Sequence, residues 1–453
     1  MFSITLHLGC AYTFPSKLTF TVPTVNQKPI MSDLKSKHEM VIEIVNQVAT
    51  IAAKLGIVHN NTDDVSLDGR HITIRGNKLL YFGSCGYLGL EHDERLKQGA
   101  IDAIHKYGTQ FSSSRAYVSS GYYQESEQLL SEIFGNKPLL LLQSLTVGHM
   151  SNIPIIVGND DAIILDSQVH DSVQTAVQLL KSRDVHVEVI RHNRMDMLES
   201  RIKALKNNYQ KIWYMADGVY SMQGDFAPVK ELFRMADQHE QLHLYIDDIH
   251  GMSWAGPHGA GYVLSQGEYH PRLYLSTGLT KAFGTAGGVL IYPEEATFNL
   301  IKNTSKAFIF SIQMPPMILG ATIAAAKIHL SDEIYGMQDE MRTKMEFFNN
   351  TARRLGLPLI NETLSPIGFI GVGKPDVGYN MVRRMMNQGY YFNLSVFPSV
   401  SYNNTGLRIP VNRLHTFEDI ENLLTEISVQ LPQALSDSQS SMSEIFKHFK
   451  LVA

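Results

Sequence analysis

One lysine in the stretch STGLTKAFGTAGG, residues 276–288, stands among small and hydroxylated residues. It is Lys281, and the run LYLSTG just before it has the pattern of a strand that enters a turn. Lysine is rarely buried unless a partner or a covalent reaction employs its amine. A lysine among small residues near a strand end is therefore a candidate nucleophile that forms a Schiff base with a carbonyl group.

Other polar side chains come at or just past the ends of short apolar runs: His170, Asp217, Ser221, Asp247 and His250. These runs have the pattern of parallel strands, whose carboxyl ends meet at one edge of a sheet. Taken alone, Asp247 could equally cap a loop, and His170 would more often be a structural histidine. The sequence contains no H-E-x-x-H, C-x-x-C or EF-hand pattern, so it predicts no metal site.

A Schiff-base lysine needs an electron sink, and pyridoxal phosphate is a cofactor that supplies one. The ring nitrogen of this cofactor must stay protonated, and a carboxylate such as Asp247 favours the cation through its opposite charge. The ring of His170 could stack on the pyridine. The phosphate needs backbone N–H groups at a helix start and nearby hydroxyls, for which the candidates are Ser144, Thr146, Thr277 and Thr280.

The elements that must position these residues alternate along the middle of the chain. Short apolar runs such as DAIILDS, KIWYMADG and LHLYIDD are separated by helical segments such as SVQTAVQLLKS and APVKELFRMADQH. This alternation predicts an α/β fold with a mainly parallel central sheet covered by helices. After about residue 330, a long helix, several short strands and the segment HTFEDIENLLTEISVQL predict a smaller α+β C-terminal domain.

The same patterns give the expected domain boundaries. We expect an N-terminal arm and helix over residues 1–75, in which residues 1–30 form a disordered or pairing arm. A large cofactor-binding domain follows over residues 76–330, then the smaller domain over 331–435. Residues 436–453 are expected to form a polar tail with a short terminal helix.

Bulk composition excludes several classes of protein. The 453 residues carry a formal charge of −5 that is mixed along the chain, so no basic stripe indicates nucleic acid. No apolar run reaches the length of about 18 residues that a membrane span needs. The chain has only two cysteines, Cys10 and Cys85, which favours a reducing cytoplasm over a disulfide framework.

Taken together, the motifs resemble those of the α-oxoamine synthases, a group of fold-type-I enzymes that depend on pyridoxal phosphate. The matching pieces include YLGL, LDSQVHDS, DGVYSMQGDFAP, YIDDIHGMSWAGPHGAG, LTKAFGTAGG and LRI, and they extend from about residue 80 to 420. The resemblance implies that Lys281 holds the cofactor covalently, Asp247 pairs with the ring nitrogen, His250 bonds the phenolic oxygen and His170 stacks on the ring. It also implies that Arg408 holds the substrate carboxylate and that two copies of the chain form a homodimer.

Several positions depart from the pattern of that family. Cys85 and Gly86 stand where relatives have Asn-Asp, and the Asn there helps to hold the substrate carboxylate. Leu145 and Thr146 replace a Gly-aromatic pair next to the cofactor. Gly278 replaces a phosphate-binding threonine, so Thr277 or Thr280 must substitute or the contact is lost. In the segment FSIQMPP, Ile312 and Gln313 replace the residues through which the partner subunit would reach the phosphate.

These features predict an acyltransferase that condenses a small amino acid with an acyl thioester, carried by coenzyme A or an acyl carrier protein, and releases carbon dioxide. The departures at Cys85 and Gly278 indicate a specialised pathway in which glycine is not the preferred substrate. Two alternatives stay open. One is an aminotransferase or aldolase on the same fold, and the other is a non-catalytic subunit that stabilises a partner.

Overall fold

The computed structural model describes residues 36–451. The predicted arm over residues 1–30 lies outside them. Fifteen α-helices occupy the described part of the chain. The first eight are α1 Lys37–Lys54, α2 Glu94–Tyr107, α3 Gly121–Ile133, α4 Leu145–Ile156, α5 Asp171–Gln178, α6 Met195–Leu205, α7 Val229–Gln238 and α8 Tyr262–Ser265. The others are α9 Glu295–Thr304, α10 Lys306–Ile309, α11 Pro316–His329, α12 Glu333–Arg354, α13 Pro375–Asn387, α14 Phe417–Asp437 and α15 Met442–Phe449.

Twelve strands of residues 36–451 form two sheets. The larger sheet contains β3 Leu139–Leu142, β4 Ala162–Asp166, β5 His186–Ile190, β6 Ile212–Asp217, β7 Leu242–Asp247, β8 Leu273–Gly278 and β9 Gly288–Ile291. The smaller sheet contains β1 His71–Ile74, β2 Asn77–Phe82, β10 Ile367–Gly373, β11 Tyr390–Ser395 and β12 Thr405–Pro410.

The larger sheet has the order β3-β9-β8-β7-β6-β4-β5. Only β9 runs antiparallel to its neighbours, so the prediction of a mainly parallel sheet covered by helices is confirmed. Alternate residues of β6 enter different hydrophobic clusters: Tyr214 packs on one face, whereas Trp213 and Met215 pack on the other. Burial on both faces explains why these strands are continuous apolar runs.

The smaller sheet joins both ends of the described chain. The hairpin β1–β2 spans the expected domain boundary between residues 75 and 76. Its strand β2 pairs with β11, so the hairpin belongs to the same sheet as the C-terminal strands. Arg70, just before β1, makes a two-pronged ion pair with Asp419 at 2.7 and 2.6 Å. Asp419 also forms a capping box with Thr416 at the start of α14. In the expected tail over residues 436–453, α15 buries Ile445 against the smaller sheet's core.

Two glycines allow α2 and α11 to cross closely beside the larger sheet. A β-carbon on Gly320 would lie 2.0 Å from the carbonyl oxygen of Gly99, and one on Gly99 would lie 2.5 Å from the carbonyl oxygen of Gly320. Both obstacles are backbone atoms, which cannot rotate out of the way. Any side chain at either position must therefore push the two helices apart.

We expect Gly320→Ala to lower the free energy of unfolding by about 1–3 kcal/mol, the usual cost of overpacking. The matched control is Gly336→Ala on α12, where a new β-carbon meets nothing within 4 Å. Because alanine is the better helix former, the control should raise stability by about 0.5–1 kcal/mol. Denaturant unfolding of both variants measures these opposite signs, and equal effects would contradict the proposed close crossing.

Candidate active site

The carboxyl ends of adjacent strands bring the predicted residues to one edge of the larger sheet. Asp217 ends β6 and is in register with Asp247 at the end of β7, which is in register with Ser276 on β8. Lys281 follows β8 by three residues, and His170 follows β4 by four. Strand register therefore gathers side chains that are more than a hundred residues apart in the sequence.

The amine of Lys281 heads a chain of buried polar groups. Its Nζ contacts Nε2 of His250, and Nδ1 of His250 lies 2.7 Å from the hydroxyl of Tyr87. The carbonyl of His250 accepts a hydrogen bond from Nε1 of Trp254 at 2.6 Å, which fixes the backbone of this turn. A neutral imidazole has one donor and one acceptor nitrogen, so a proton donated by Lys281 to Nε2 directs Nδ1–H towards Tyr87.

Burial changes the protonation of this chain of groups. It lowers the pKa of Lys281 to about 8, with the charges of Cys85 and Asp247 opposing the change. Burial, followed by the charges of Lys281 and Arg408, lowers the pKa of His250 well below its usual range. His250 is therefore neutral near pH 7, and an appreciable fraction of Lys281 is a neutral amine, which is the nucleophilic form.

Asp247 is the carboxyl group of this edge that stays ionised. Burial alone would raise its pKa, but hydrogen bonds from His149 and from the backbone of Ile249 bring the pKa below the usual value. Its Oδ2 lies 3.1 Å from Nε2 of His149, and its Oδ1 accepts the N–H of Ile249 at 3.0 Å. Asp247 is only 2% exposed, so it is a buried negative charge aimed at the edge of the sheet.

Two neighbouring carboxyl groups behave differently. Burial and the charge of Asp247 raise the pKa of Asp217 well above its usual value. Burial likewise raises the pKa of Asp248, whose Oδ2 accepts the N–H of Val263 at 2.9 Å. Like charges that are buried together cannot all ionise. The edge therefore carries one carboxylate beside two neutral carboxyl groups.

His170 stands at the rim of the site. Its backbone N–H donates to Oδ1 of Asp217 at 3.0 Å, and its Nδ1 lies 2.6 Å from the hydroxyl of Ser172 at the start of α5. The residue is exposed. Loss of water around its ring atoms lowers its pKa, while the charge of Asp247 opposes that effect. A neutral ring with one open face suits stacking on a flat ligand.

Arg408 reaches the same site from β12 of the smaller sheet. It is 6% exposed, and its Nε donates to the carbonyl of Ser221 at 2.6 Å. A second nitrogen lies 3.5 Å from Sγ of Cys85. Burial would raise the pKa of the Cys85 thiol, but the charges of Arg408 and Lys281 lower it. The predicted substrate residues Cys85 and Arg408 are thus in contact, and Ser221 contributes its carbonyl.

The candidates for phosphate binding surround the start of α4 and the end of β8. Ser144 caps α4 by accepting the N–H of Val147 at 3.3 Å. Thr146 in the first turn of α4 and Thr280 beside Lys281 are exposed. The hydroxyl of Thr277 instead donates to the carbonyl of Asp248 at 3.2 Å. The side chain of Leu145, which was expected next to the cofactor, is buried in the core, so its backbone N–H is the group it offers.

The structure gives a physical reason for Gly278. A β-carbon at this position would lie 2.3 Å from the terminal carbon of Ile249. A threonine at residue 278 would therefore require Ile249 to move. This side of the site is occupied by an apolar side chain, which leaves Thr280 as the better placed hydroxyl.

Sequence reasoning assigned no function to three residues that contact this site. Tyr87 lies within the quoted motif YLGL, but nothing local indicates that it meets His250. His149 and its partner Tyr245 are both buried. The available signal was the spacing of His149, which follows Leu145 by one helical turn in an otherwise apolar helix.

Comparison with known proteins decides the family. The family profile described as aminotransferase class I and II matches residues 78–427. The chain is 31% identical over 363 residues to an 8-amino-7-oxononanoate synthase of Fervidobacterium nodosum, covering 79% of this chain and 89% of that protein. The chain belongs to the α-oxoamine synthases. It is thus a pyridoxal-phosphate-dependent transferase that condenses an amino acid with an acyl thioester to give an α-aminoketone.

Two further relatives agree with this assignment. A serine palmitoyltransferase of Bacteriovorax stolpii is 25% identical over 355 residues, which is 78% of this chain and 82% of that protein. The solved serine palmitoyltransferase of Sphingomonas wittichii has the same fold, with a TM-score of 0.80 at 20% identity over 89% of this chain and 99% of that one. The fold-type-I architecture predicted for the chain is confirmed.

The residues of this α-oxoamine synthase fit the cofactor. Lys281 offers an amine of lowered pKa, Asp247 a buried carboxylate, and α4 a capped N-terminus of the kind that binds phosphate. When bound, pyridoxal phosphate supplies the electron sink for a carbanion at the α-carbon of an amino acid. The roles of individual residues toward the cofactor stay predictions.

The lowered pKa of Lys281 predicts how fast the apoprotein takes up the cofactor. Because only the neutral amine attacks an aldehyde, the rate should rise with pH and level off just above pH 8, rather than above the usual lysine pKa of about 10.4. Stopped-flow absorbance measures the rate, and borohydride reduction with peptide mass spectrometry locates the labelled lysine.

The control is Lys281→Ala, which leaves the lysines outside the site. In this variant, labelling should be slow and should still be increasing at pH 10. A plateau near pH 8 in the variant, or a reduced adduct at another lysine in the wild type, would show that Lys281 is not the reacting amine.

Proposed function

We propose that Lys281, Asp247, His250, His170 and Arg408 form the active site of this α-oxoamine synthase and that its substrate is a small amino acid. The observation that carries this proposal is the position of the Cys85 thiol. It contacts Arg408 and also lies within the electrostatic reach of Lys281. Arg408 contacts this thiol and the charge of Lys281 also acts on it, which suits a short molecule with its carboxylate on Arg408 and its α-carbon near Lys281.

Each residue of the site then has a defined task. The guanidinium of Arg408 binds the carboxylate, and its Nε bond to Ser221 fixes the orientation of that side chain. Lys281 removes the proton from the α-carbon, and a pKa near 8 suits a base that works near neutral pH. Nε2 of His250 accepts a hydrogen bond from Nζ and so orients the amine, while Tyr87 holds the other ring nitrogen of His250.

Bond changes in the reaction balance without an external oxidant. The α-carbon forms a bond to the acyl carbonyl carbon, and the carbon–sulfur bond of the thioester breaks to release a thiol. Carbon dioxide then leaves the resulting β-keto acid, and the α-carbon regains a proton. One amino acid and one thioester therefore give one aminoketone, one thiol and one carbon dioxide.

The test is a screen of purified holoenzyme with amino acids against thioesters of coenzyme A and of acyl carrier protein. Thiol and carbon dioxide should appear in equal amounts, with an aminoketone of the matching mass, and Lys281→Ala should form none of them. A keto acid and an aminated acceptor without thiol would identify an aminotransferase. A carbonyl product from the amino acid alone would identify an aldolase, and no product with any pair would favour a non-catalytic subunit.

We also propose that the enzyme is a homodimer and that its interface covers an apolar patch beside the site. The patch consists of Tyr117, Val118, Phe310 and Ile312, of which Tyr117 is 88% exposed, Phe310 84% and Ile312 67%. Exposed aromatic side chains that lie together mark an interaction surface. A second copy of the chain is the occupant that suits this patch, because Phe310 and Ile312 belong to the segment FSIQMPP.

Hydrogen bonds connect this patch to the cofactor side of the site. Gln313 donates to the carbonyl of Val118 at 2.8 Å, and Ser114 donates to the carbonyl of Ile309 at 2.8 Å. Gln143, which directly precedes Ser144, donates to Ser311 at 3.0 Å. Association at the patch would therefore support the turn that begins α4.

Phe310→Glu should shift the protein from dimer to monomer in light scattering, because a carboxylate at the interface would lose its water. The control is Val65→Glu, since Val65 is fully exposed in a loop between α1 and β1. That variant should remain a dimer. A wild-type monomer with full activity, or dimerisation unaffected by Phe310→Glu, would refute the proposed interface.

The compartment and the acyl carrier complete the proposal. Among residues 36–451, no helix is long and apolar enough to cross a bilayer. Cys85 is a free thiol beside Arg408. A free thiol in the site suits the reducing cytoplasm. Coenzyme A and acyl carrier protein both remain candidate carriers, which the two arms of the thioester screen separate.

A further inference from the structure

A histidine outside the predicted set is buried beneath the site. His149 lies on α4, is 0% exposed and uses both ring nitrogens. Its Nδ1 lies 2.7 Å from the hydroxyl of Tyr245, and its Nε2 lies 3.1 Å from Oδ2 of Asp247. The His149 and Tyr245 rings meet edge to face, with centroids 5.7 Å apart. A side chain from a helix is thus joined to two residues of β7.

The chemistry of these groups fixes the direction of the hydrogen bond to Asp247. An ionised carboxylate only accepts, so Nε2 of His149 must carry the proton that it shares with Asp247. Burial raises the pKa of Tyr245, so its hydroxyl stays protonated and can donate to Nδ1 or accept from it. The result is a continuous series of hydrogen bonds from Tyr245 through His149 to Asp247.

The hydrogen bonds from His149 and from the backbone leave the carboxylate of Asp247 one stable orientation. Oδ2 is held by His149, and Oδ1 is held by the N–H of Ile249 at 3.0 Å. Other titratable groups coupled to this carboxylate are Asp217 at the end of β6, Asp248 directly after β7, His170 after β4 and Lys281 after β8. Of the groups around Asp247, His149 is the one side chain among the described residues with a hydrogen bond to it.

We propose that His149 is a positioning residue, which holds Asp247 ionised and correctly oriented so that Asp247 keeps the ring nitrogen of pyridoxal phosphate protonated. The inference rests on the proposed pairing of Asp247 with that nitrogen. Without the donor at residue 149, a buried carboxyl group gains stability by taking up a proton. The ring nitrogen would then lose its counter-charge and would release its proton at lower pH.

The test uses holoenzyme loaded with pyridoxal phosphate that carries ¹⁵N in its ring, and it follows the nitrogen chemical shift against pH. In His149→Leu, the midpoint for loss of the ring proton should move to lower pH. Affinity of the apoprotein for the cofactor should fall about tenfold, as for other residues that orient a ligand-binding side chain. Tyr245→Phe keeps the packing but removes the hydrogen bond between the Tyr245 hydroxyl and Nδ1 of His149. It should therefore move the midpoint of the nitrogen titration in the same direction, by a smaller amount.

Two comparisons separate positioning from general stability. His329→Leu is the matched control, because His329 is equally buried with both nitrogens bonded, to Ala325 and Ser253, away from Asp247. It should lower the thermal midpoint of unfolding without moving the nitrogen titration. In the background of Asp247→Asn, adding His149→Leu should change the titration little further, since His149 acts through Asp247.

The outcomes distinguish this inference from the proposed function. If Asp247→Asn leaves the ring nitrogen protonated and cofactor affinity unchanged, the placement of Asp247 is wrong. If Asp247→Asn shifts the titration but His149→Leu and Tyr245→Phe do not, the inference about His149 is overturned while the site stands. Additive effects of His149→Leu and Asp247→Asn would also overturn it.

Discussion

A buried carboxylate at the end of β7 is the constraint on which the rest of the site depends. An ionised carboxyl group away from water is very unfavourable unless donors surround it. Asp247 meets this requirement through His149 and the N–H of Ile249. Its charge in turn raises the pKa of Asp217 and opposes the loss of charge at Lys281. The protonation states along this edge are therefore set together rather than residue by residue.

The junction of the two sheets supplies the other half of the site. The larger sheet contributes the amine and the carboxylate, whereas Arg408 comes from β12 of the smaller sheet and is anchored on the carbonyl of Ser221. The smaller sheet itself needs the hairpin β1–β2 from the start of the described chain, held by Arg70 on Asp419. Substrate binding and catalysis thus depend on contacts between distant parts of the sequence.

The departures from the family pattern form connected sets in the structure. Gly278 leaves room for Ile249, and a β-carbon on Gly86 would lie 1.7 Å from a carboxylate oxygen of Glu91. Glu91 therefore lies beside the loop where relatives have an Asn-Asp pair. Burial raises the pKa of this carboxyl group. At both positions a neighbouring side chain occupies the space that a larger residue would need.

Local sequence patterns were enough to predict many of the strands and several of the residues that lie at the site. The apolar runs DAIILDS, KIWYMADG, LHLYIDD and LYLSTG became β4, β6, β7 and β8, and the lysine and carboxylate at their ends lie at one edge of the sheet. The run LLLL of β3 was not predicted as a strand, because four leucines carry no periodicity that separates a strand from a helix. No local sequence pattern indicates that the hairpin β1–β2 pairs with β11 in the smaller sheet.

The sequence by itself determined which residues could do the chemistry, because strand and helix periodicity and the residues that end each strand are local properties. Only the tertiary structure decided their partners. Tyr87 meets His250 across 163 residues, and His149 meets Asp247 across 98. Strand order and helix packing set these contacts, and burial then decides which groups are charged. Neither the contacts nor the charge states can be read from residues that are neighbours in the sequence. The ionised Asp247 beside a neutral Asp217 is therefore a property of the folded protein alone.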